Sequence, residues 1–97
     1  MFVTLLKFAE NRSAAGAQMA AHNAWLAKGF ADGAFICAGS LRPSAGGAII
    51  ANGESRADHD LRIAADPFVV HGIVVPETIE IDPARTIDAL AFLKASA

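Results

Sequence analysis

The chain has 97 residues and a mass of 10.0 kDa, room for one small domain over 1–97 and no more. The apolar fraction is 54%, but 22 residues are alanine, so the larger apolar side chains suffice for one modest core; charges of both signs, 19% of the chain, exclude wholesale disorder. A net charge of −2 and a pI near 5.8 exclude a basic stripe for nucleic acid, and no apolar run approaches the ~20 residues of a membrane span.

In chain order, Phe2 to Phe8 (FVTLLKF) reads as a strand apolar on both alternating sets, the pattern of a strand with both faces covered or with one face covered by a partner. Ser13 to Phe30 is alanine-rich, and Ala15, Met19, His22, Leu26 and Phe30 trace one stripe at helical spacing, which predicts a long helix burying that stripe. Gly29 and Gly33 weaken and then end it. Ala34 to Leu41 reads as a second strand, Arg42 to Gly47 as a turn, and Ala48 to Ala51 as a third strand, closed by Asn52-Gly53.

Ser55 to Asp58 match an S-x-x-D helix start, and the helix runs to about Ala65. Asp66-Pro67 then interrupts it and opens a fresh turn, with Asp66 as N-cap, Pro67 first in the helix, and Gly72 as the stop. Ile73 to Ile81 reads as the fourth strand, with Ile73, Val75, Ile79 and Ile81 on one face and Pro76 marking an edge or a bulge. A short helix is expected over about 86–95, using Ile87, Leu90 and Leu93. The order is strand, helix, strand, strand, helix, strand: an α+β, ferredoxin-like (βαββαβ) protomer with both helices on one face of a four-stranded antiparallel sheet. Its other face has no cover within so short a chain, so the expectation is a homodimer packed sheet against sheet.

His22 interrupts the apolar stripe of the first helix, where an imidazole needs hydrogen-bond partners. It is either a satisfied core histidine or a general acid/base held by a carboxylate. Asp66 is the natural carboxylate; capping the turn at Pro67 explains it equally well, and the two roles are compatible. His59, between Asp58 and Asp60, reads as a solvated helix start, and His71 before Gly72 as a helix end. The histidines lack ligand spacing, and no metal or cofactor is expected. Gly39-Ser40 can admit a ligand to the backbone with Ser40 as donor, or simply end a strand. Glu77 reads as solvated, Trp25 as packing, and Cys37 as a small packed residue. That lone cysteine suits a reducing compartment, and no leader pattern stands at the start, so a cytoplasmic protein is expected.

A histidine in the first helix followed by Trp25-Leu26 and Gly29-Phe30, then Gly33-x-Phe35, Ala38-Gly39, Gly46-Gly47, Ser55-Arg56 and Asp66-Pro67-Phe68, resembles the YciI-like (YCII-related) proteins. The resemblance implies a dimeric α/β barrel of ferredoxin-like protomers and a His–Asp acid/base pair, falling on His22 and Asp66. Many relatives carry proline after the Ala-Gly, where this chain has Ser40. Together these readings predict an enzyme acting on a small organic molecule by proton transfer, of the lyase or isomerase kind, with Gly39, Ser40 and Phe68 as substrate contacts. The alternative is a non-catalytic ligand-binding or regulatory dimer in which His22 and Asp66 only join two helices.

Overall fold

The computed structural model describes residues 1–96. Strands β1 (Phe2–Phe8), β2 (Phe35–Leu41), β3 (Gly46–Ala51) and β4 (Val74–Glu80) form one antiparallel sheet in the order β2-β3-β1-β4. Helix α1 (Ala15–Ala31) connects β1 to β2; α2 (Arg56–Ala64) and the single turn α3 (Pro67–Val70) connect β3 to β4. This is the α+β arrangement of a βαββαβ chain, with β1 and β3 central and β2 and β4 at the edges. Pro76, which has no N–H to give a ladder, therefore sits on an edge strand. No helix among the described residues is long and apolar enough to cross a membrane.

Register divides the two faces. Phe2, Thr4 and Leu6 pair with Ala51, Ile49 and Gly47 on one side, and all three are buried beneath the helices. Phe35, Ile63, Phe68, Ile73 and Val74 complete this core, with Trp25 and Leu26 of α1 packed against it. Val3, Leu5, Ile50, Cys37, Val75 and Ile79 lie on the opposite face, where Val75 and Ile79 are exposed. Cys37, expected to be packed, is exposed on this face, on the edge strand β2. Lys7 and Glu77 pair on the same face at 3.1 Å, both well solvated, as expected for Glu77.

Local chemistry sets the helix ends. Ser55 Oγ accepts from Asp58 N–H at 3.1 Å to start α2, and Gly33, at φ +74°, supplies the left-handed turn after α1. Arg62 closes the helical layer: it donates to Glu54 at 2.8 and 3.2 Å and to Asp32 at 3.1 Å, joining α2 to the end of α1. Hydrogen bonds from Lys28 and Arg62 hold Asp32 below the usual carboxylate range.

Four further expectations need correction. The α1 stripe is only partly buried: Met19 and Phe30 are each 43% exposed, and His22 and Leu26 are only partly covered. Ile73 does not share the open face with Val75 and Ile79. It precedes the strand and is fully buried, held by its N–H to Phe68 O at 2.9 Å and its carbonyl to Ala9 N–H at 2.9 Å. Near the C-terminus a 3-10 helix over Asp88–Ser96 replaces the expected helix, and of Ile87, Leu90 and Leu93 it buries Leu93 alone.

His59 is the fourth. It is not solvated but wholly buried, one turn before Ile63 on the inner face of α2. Its Nε2 lies 2.7 Å from Thr4 Oγ1, which in turn meets Thr78 Oγ1 at 2.8 Å, and its ring stacks on Phe2 with centroids 4.6 Å apart. Nδ1 has no partner among the described residues. Burial pushes the His59 imidazole below its ordinary 6.5, against weaker opposing pulls from Asp60 and Glu54.

This packing has two measurable consequences. Gly46 adopts φ +126°, and a Cβ there would collide with the Leu6 carbonyl oxygen of the neighbouring strand; Gly46→Ala should cost about 2 kcal/mol or more, read from urea unfolding. The unfolded chain takes a proton at residue 59 near pH 6.5 and the folded chain resists it, so stability is full above that pH and falls as pH drops below it. Removing that titration by His59→Leu should flatten the fall relative to the parent protein in urea midpoints measured from neutral to mildly acidic pH; equal slopes would contradict it.

Candidate active site at the His22–Asp66 pair

Pro67 fixes the first residue of α3, and Asp66 caps it: Asp66 Oδ1 accepts from Phe68 N–H at 3.0 Å. The same oxygen lies 2.7 Å from His22 Nδ1, across the interface between α1 and α3. Asp66 is fully buried and the His22 side chain is 12% exposed, so the contact is sheltered from water on the carboxylate side and open on the other. Phe68 closes the arrangement. Its ring lies flat on the imidazole, with centroids 3.9 Å apart and planes 4° from parallel. Trp25 packs at 5.8 Å from His22, anchored by its Nε1–H to Arg62 O at 3.0 Å.

These contacts fix orientation. A buried carboxylate is stabilised by donors, and here Oδ1 receives two while Oδ2 has none among the described residues. An ionised Asp66 favours the imidazole tautomer with hydrogen on Nδ1. Nε2 is then left with a free lone pair, able to accept a proton.

The ring borders a cavity of about 310 Å³, near the lower end of the ~300–1,000 Å³ typical of small-molecule sites. Leu6, Phe8, Leu26, Ile49 and Phe68 form apolar walls, and the backbone-rich side is made by Gly39, Ser40 and Gly46-Gly47 of β2 and β3. Of the sequence-derived candidates, His22, Gly39, Ser40 and Phe68 all reach this one cavity; Asp66 stands behind His22 and does not line it. Ser40 pairs with Gly47, and the absence of a side chain on Gly47 leaves that stretch of the wall to backbone. His59 and His71 are elsewhere.

Sequence reasoning missed Asn23, the remaining polar side chain on the wall. It stands next to His22 on α1 and so about 100° away around the helix, which is why a search along the stripe passes over it. Both reach the cavity because its mouth spans a wide arc of the helix. Met19, placed in the core by its spacing, lines the same mouth. Among the described residues no group of three or more His, Cys, Asp or Glu is positioned to hold a metal ion.

No curated protein matches the chain. Among solved structures, 5-chloro-2-hydroxyhydroquinone dehydrochlorinase (TftG) from Burkholderia phenoliruptrix AC1100, in complex with 2,5-dihydroxybenzoquinone, is similar in fold, with a TM-score of 0.68 and 17% sequence identity over 84% of this chain and 93% of that one. The model of the YCII-related domain matches residues 1–81, from β1 through β4, and the chain therefore belongs to the YCII-related domain family.

Proposed function

We propose that this protein is an enzyme that moves a proton on a small cyclic organic molecule, with His22 as the acid/base and Asp66 as its orienting partner. The observation that carries the reading is the 2.7 Å contact between His22 Nδ1 and a fully buried carboxylate at the wall of a cavity. Nε2 takes a proton from a carbon of the bound ring. The imidazolium so formed is stabilised by Asp66, as the third member of a catalytic triad stabilises its histidine. Returning the proton to another carbon is an isomerisation; delivering it as a leaving group departs completes an elimination. Ser40 and Asn23 are the side chains that can hydrogen-bond substrate oxygens, while Phe8, Leu6 and Leu26 favour an apolar ring.

The similar fold of TftG supports the substrate class. Its name describes removal of hydrogen chloride from a chlorinated, hydroxylated ring, and its structure holds a hydroxylated ring without chlorine, 2,5-dihydroxybenzoquinone. Dehydrochlorination needs a proton acceptor, which His22 supplies here. In this reading no group beyond the protein's own side chains is required.

The assembly we propose is a homodimer through the open sheet face. Val75 and Ile79 are exposed there beside Val3, Leu5 and Ile50, and such a face is stabilised by a second copy of itself. An Ile79→Asp change should convert dimer to monomer in sedimentation velocity; an unaltered sedimentation coefficient would contradict it.

The catalytic assignment is tested with hydroxylated and halogenated single-ring compounds, followed by solvent-deuterium incorporation and product formation by NMR. On a compound that turns over, His22→Ala and Asp66→Asn should each lower kcat by about 10²–10⁴-fold. Asp66→Asn keeps an amide oxygen to cap α3 and should cost less than Asp66→Ala, which removes the acceptor of both Phe68 N–H and His22 Nδ1–H and should cost about 2–4 kcal/mol in urea unfolding. Undiminished turnover in either of the first two variants would overturn the assignment.

A further inference from the structure

We propose that the cavity selects a ring bearing an ionised hydroxyl, and that Arg12 is the residue that makes the selection. The proposal rests on reading the cavity as a ring-binding acid/base site, and adds the charge of the ligand to it.

After β1 the chain crosses the end of the sheet and is stitched down on both sides. Ala9 N–H donates to Ile73 O at 2.9 Å, Asn11 N–H to Gly72 O at 3.3 Å, and Asn11 Nδ2 to His71 O at 2.8 Å. On the other side Phe8 N–H reaches Ala45 O at 3.0 Å, and Arg12 Nη2 reaches Ser44 O at 3.2 Å, in the turn between β2 and β3. That turn lies between Ser40 and Gly46, which both line the cavity. The Arg12 guanidinium is centred 4.1 Å over the ring of Phe8, itself a cavity wall. Arg12 is therefore a cation fixed one aromatic ring away from the ligand space.

The guanidinium meets a ring face and a carbonyl oxygen. Among the described residues no carboxylate forms an ion pair with it, in contrast to Arg56 and Arg62. The described cavity lining includes neither Asp nor Glu. In sequence, Glu10 stands two residues before Arg12, and Arg42 begins the turn that Arg12 reaches. Asp66 is the nearest buried anion, but it stands behind His22. The field of Arg12 favours an oxyanion at the Phe8 side of the cavity, away from the unprotonated Nε2 that is to meet a ring carbon. A ring hydroxyl that is ionised also fits the proposed chemistry, because its negative charge is conjugated with the carbons where protons are exchanged.

The experiment is calorimetric titration of 2,5-dihydroxybenzoquinone, which is anionic at neutral pH, and of its uncharged dimethyl ether, into the parent protein, Arg12→Gln and Arg12→Lys. The anion should bind more tightly than the ether and lose affinity as salt is raised. Arg12→Gln should weaken the anion by about 3–10-fold, the range for one partly screened charge, without changing ether binding, and Arg12→Lys should restore most of the loss. Equal weakening of both ligands would make Arg12 a structural strap and overturn the proposal. Unchanged anion binding in Arg12→Gln, or equal and salt-independent binding of both ligands to the parent, would overturn it while leaving the ring-binding reading of the cavity in place. Failure of both ligands to bind the parent protein would overturn the two together. Should Arg12→Gln fail to fold, the salt dependence of the two ligands on the parent protein still separates these outcomes.

Discussion

A single carboxylate oxygen organises the centre of this protein. Asp66 Oδ1 accepts the Phe68 N–H that begins α3 and the His22 Nδ1–H that reaches over from α1, while Phe68 lies flat against the same imidazole. Three side chains from two helices are thus mutually fixed, and none can move without disturbing the other two. The carboxylate has no exposure to water, so these donors replace its hydration; a charge-assisted hydrogen bond of this kind contributes about 1.5–3 kcal/mol, and the loss of its donor leaves a buried charge unmet. The oxygen that starts a helical turn also holds Nδ1 of His22, whose ring lines the cavity.

The two inner histidines separate the consequences of burial. His59 is packed among Phe2, Thr4 and Thr78 with no carboxylate in hydrogen-bonding reach among the described residues, and its surroundings oppose the charged form. It is a core residue that acidification turns against the fold. His22 has a carboxylate on one nitrogen, and its ring lines a cavity. The same residue type, on two helices over one sheet, becomes either filler or a candidate catalyst according to what its two nitrogens meet.

Much of this was legible in the sequence because the governing interactions are local. The β-branched and aromatic run of residues 2–8, the alanine-rich helix, the cap at Ser55 and the Asp66-Pro67 start are all fixed by neighbours a few positions away, and each lies where local chemistry places it. The approach of His22 to Asp66, 44 residues apart, followed from placing both helices on one face of the sheet. What escaped depends on tertiary packing. Asp58 and Asp60 flank His59 and suggest solvent, yet on a helix those neighbours point away from it, and the 4-residue spacing to Ile63 was the signal that it faces inward. Ile73 is buried by a turn at its N-terminal side, which strand alternation cannot describe. Asn23 became a cavity residue only because the mouth is wider than one helical stripe. The strap of Arg12 over Phe8 joins residues whose proximity needs the turn between β2 and β3 to fold back upon β1.

Function here turns on whether Asp66 holds His22 with its Nδ1 protonated and its Nε2 turned to a ligand. Nitrogen-15 NMR of the imidazole measures this directly through the shifts and couplings of its two ring nitrogens. The expected spectrum has a hydrogen-bonded proton on Nδ1, an unprotonated Nε2, and a change at Nε2 when 2,5-dihydroxybenzoquinone is added, with the hydrogen-bonded Nδ1 proton lost in Asp66→Ala. A proton resident on Nε2 in the parent protein, or ring signals indifferent to both the ligand and the Asp66 substitution, would contradict it.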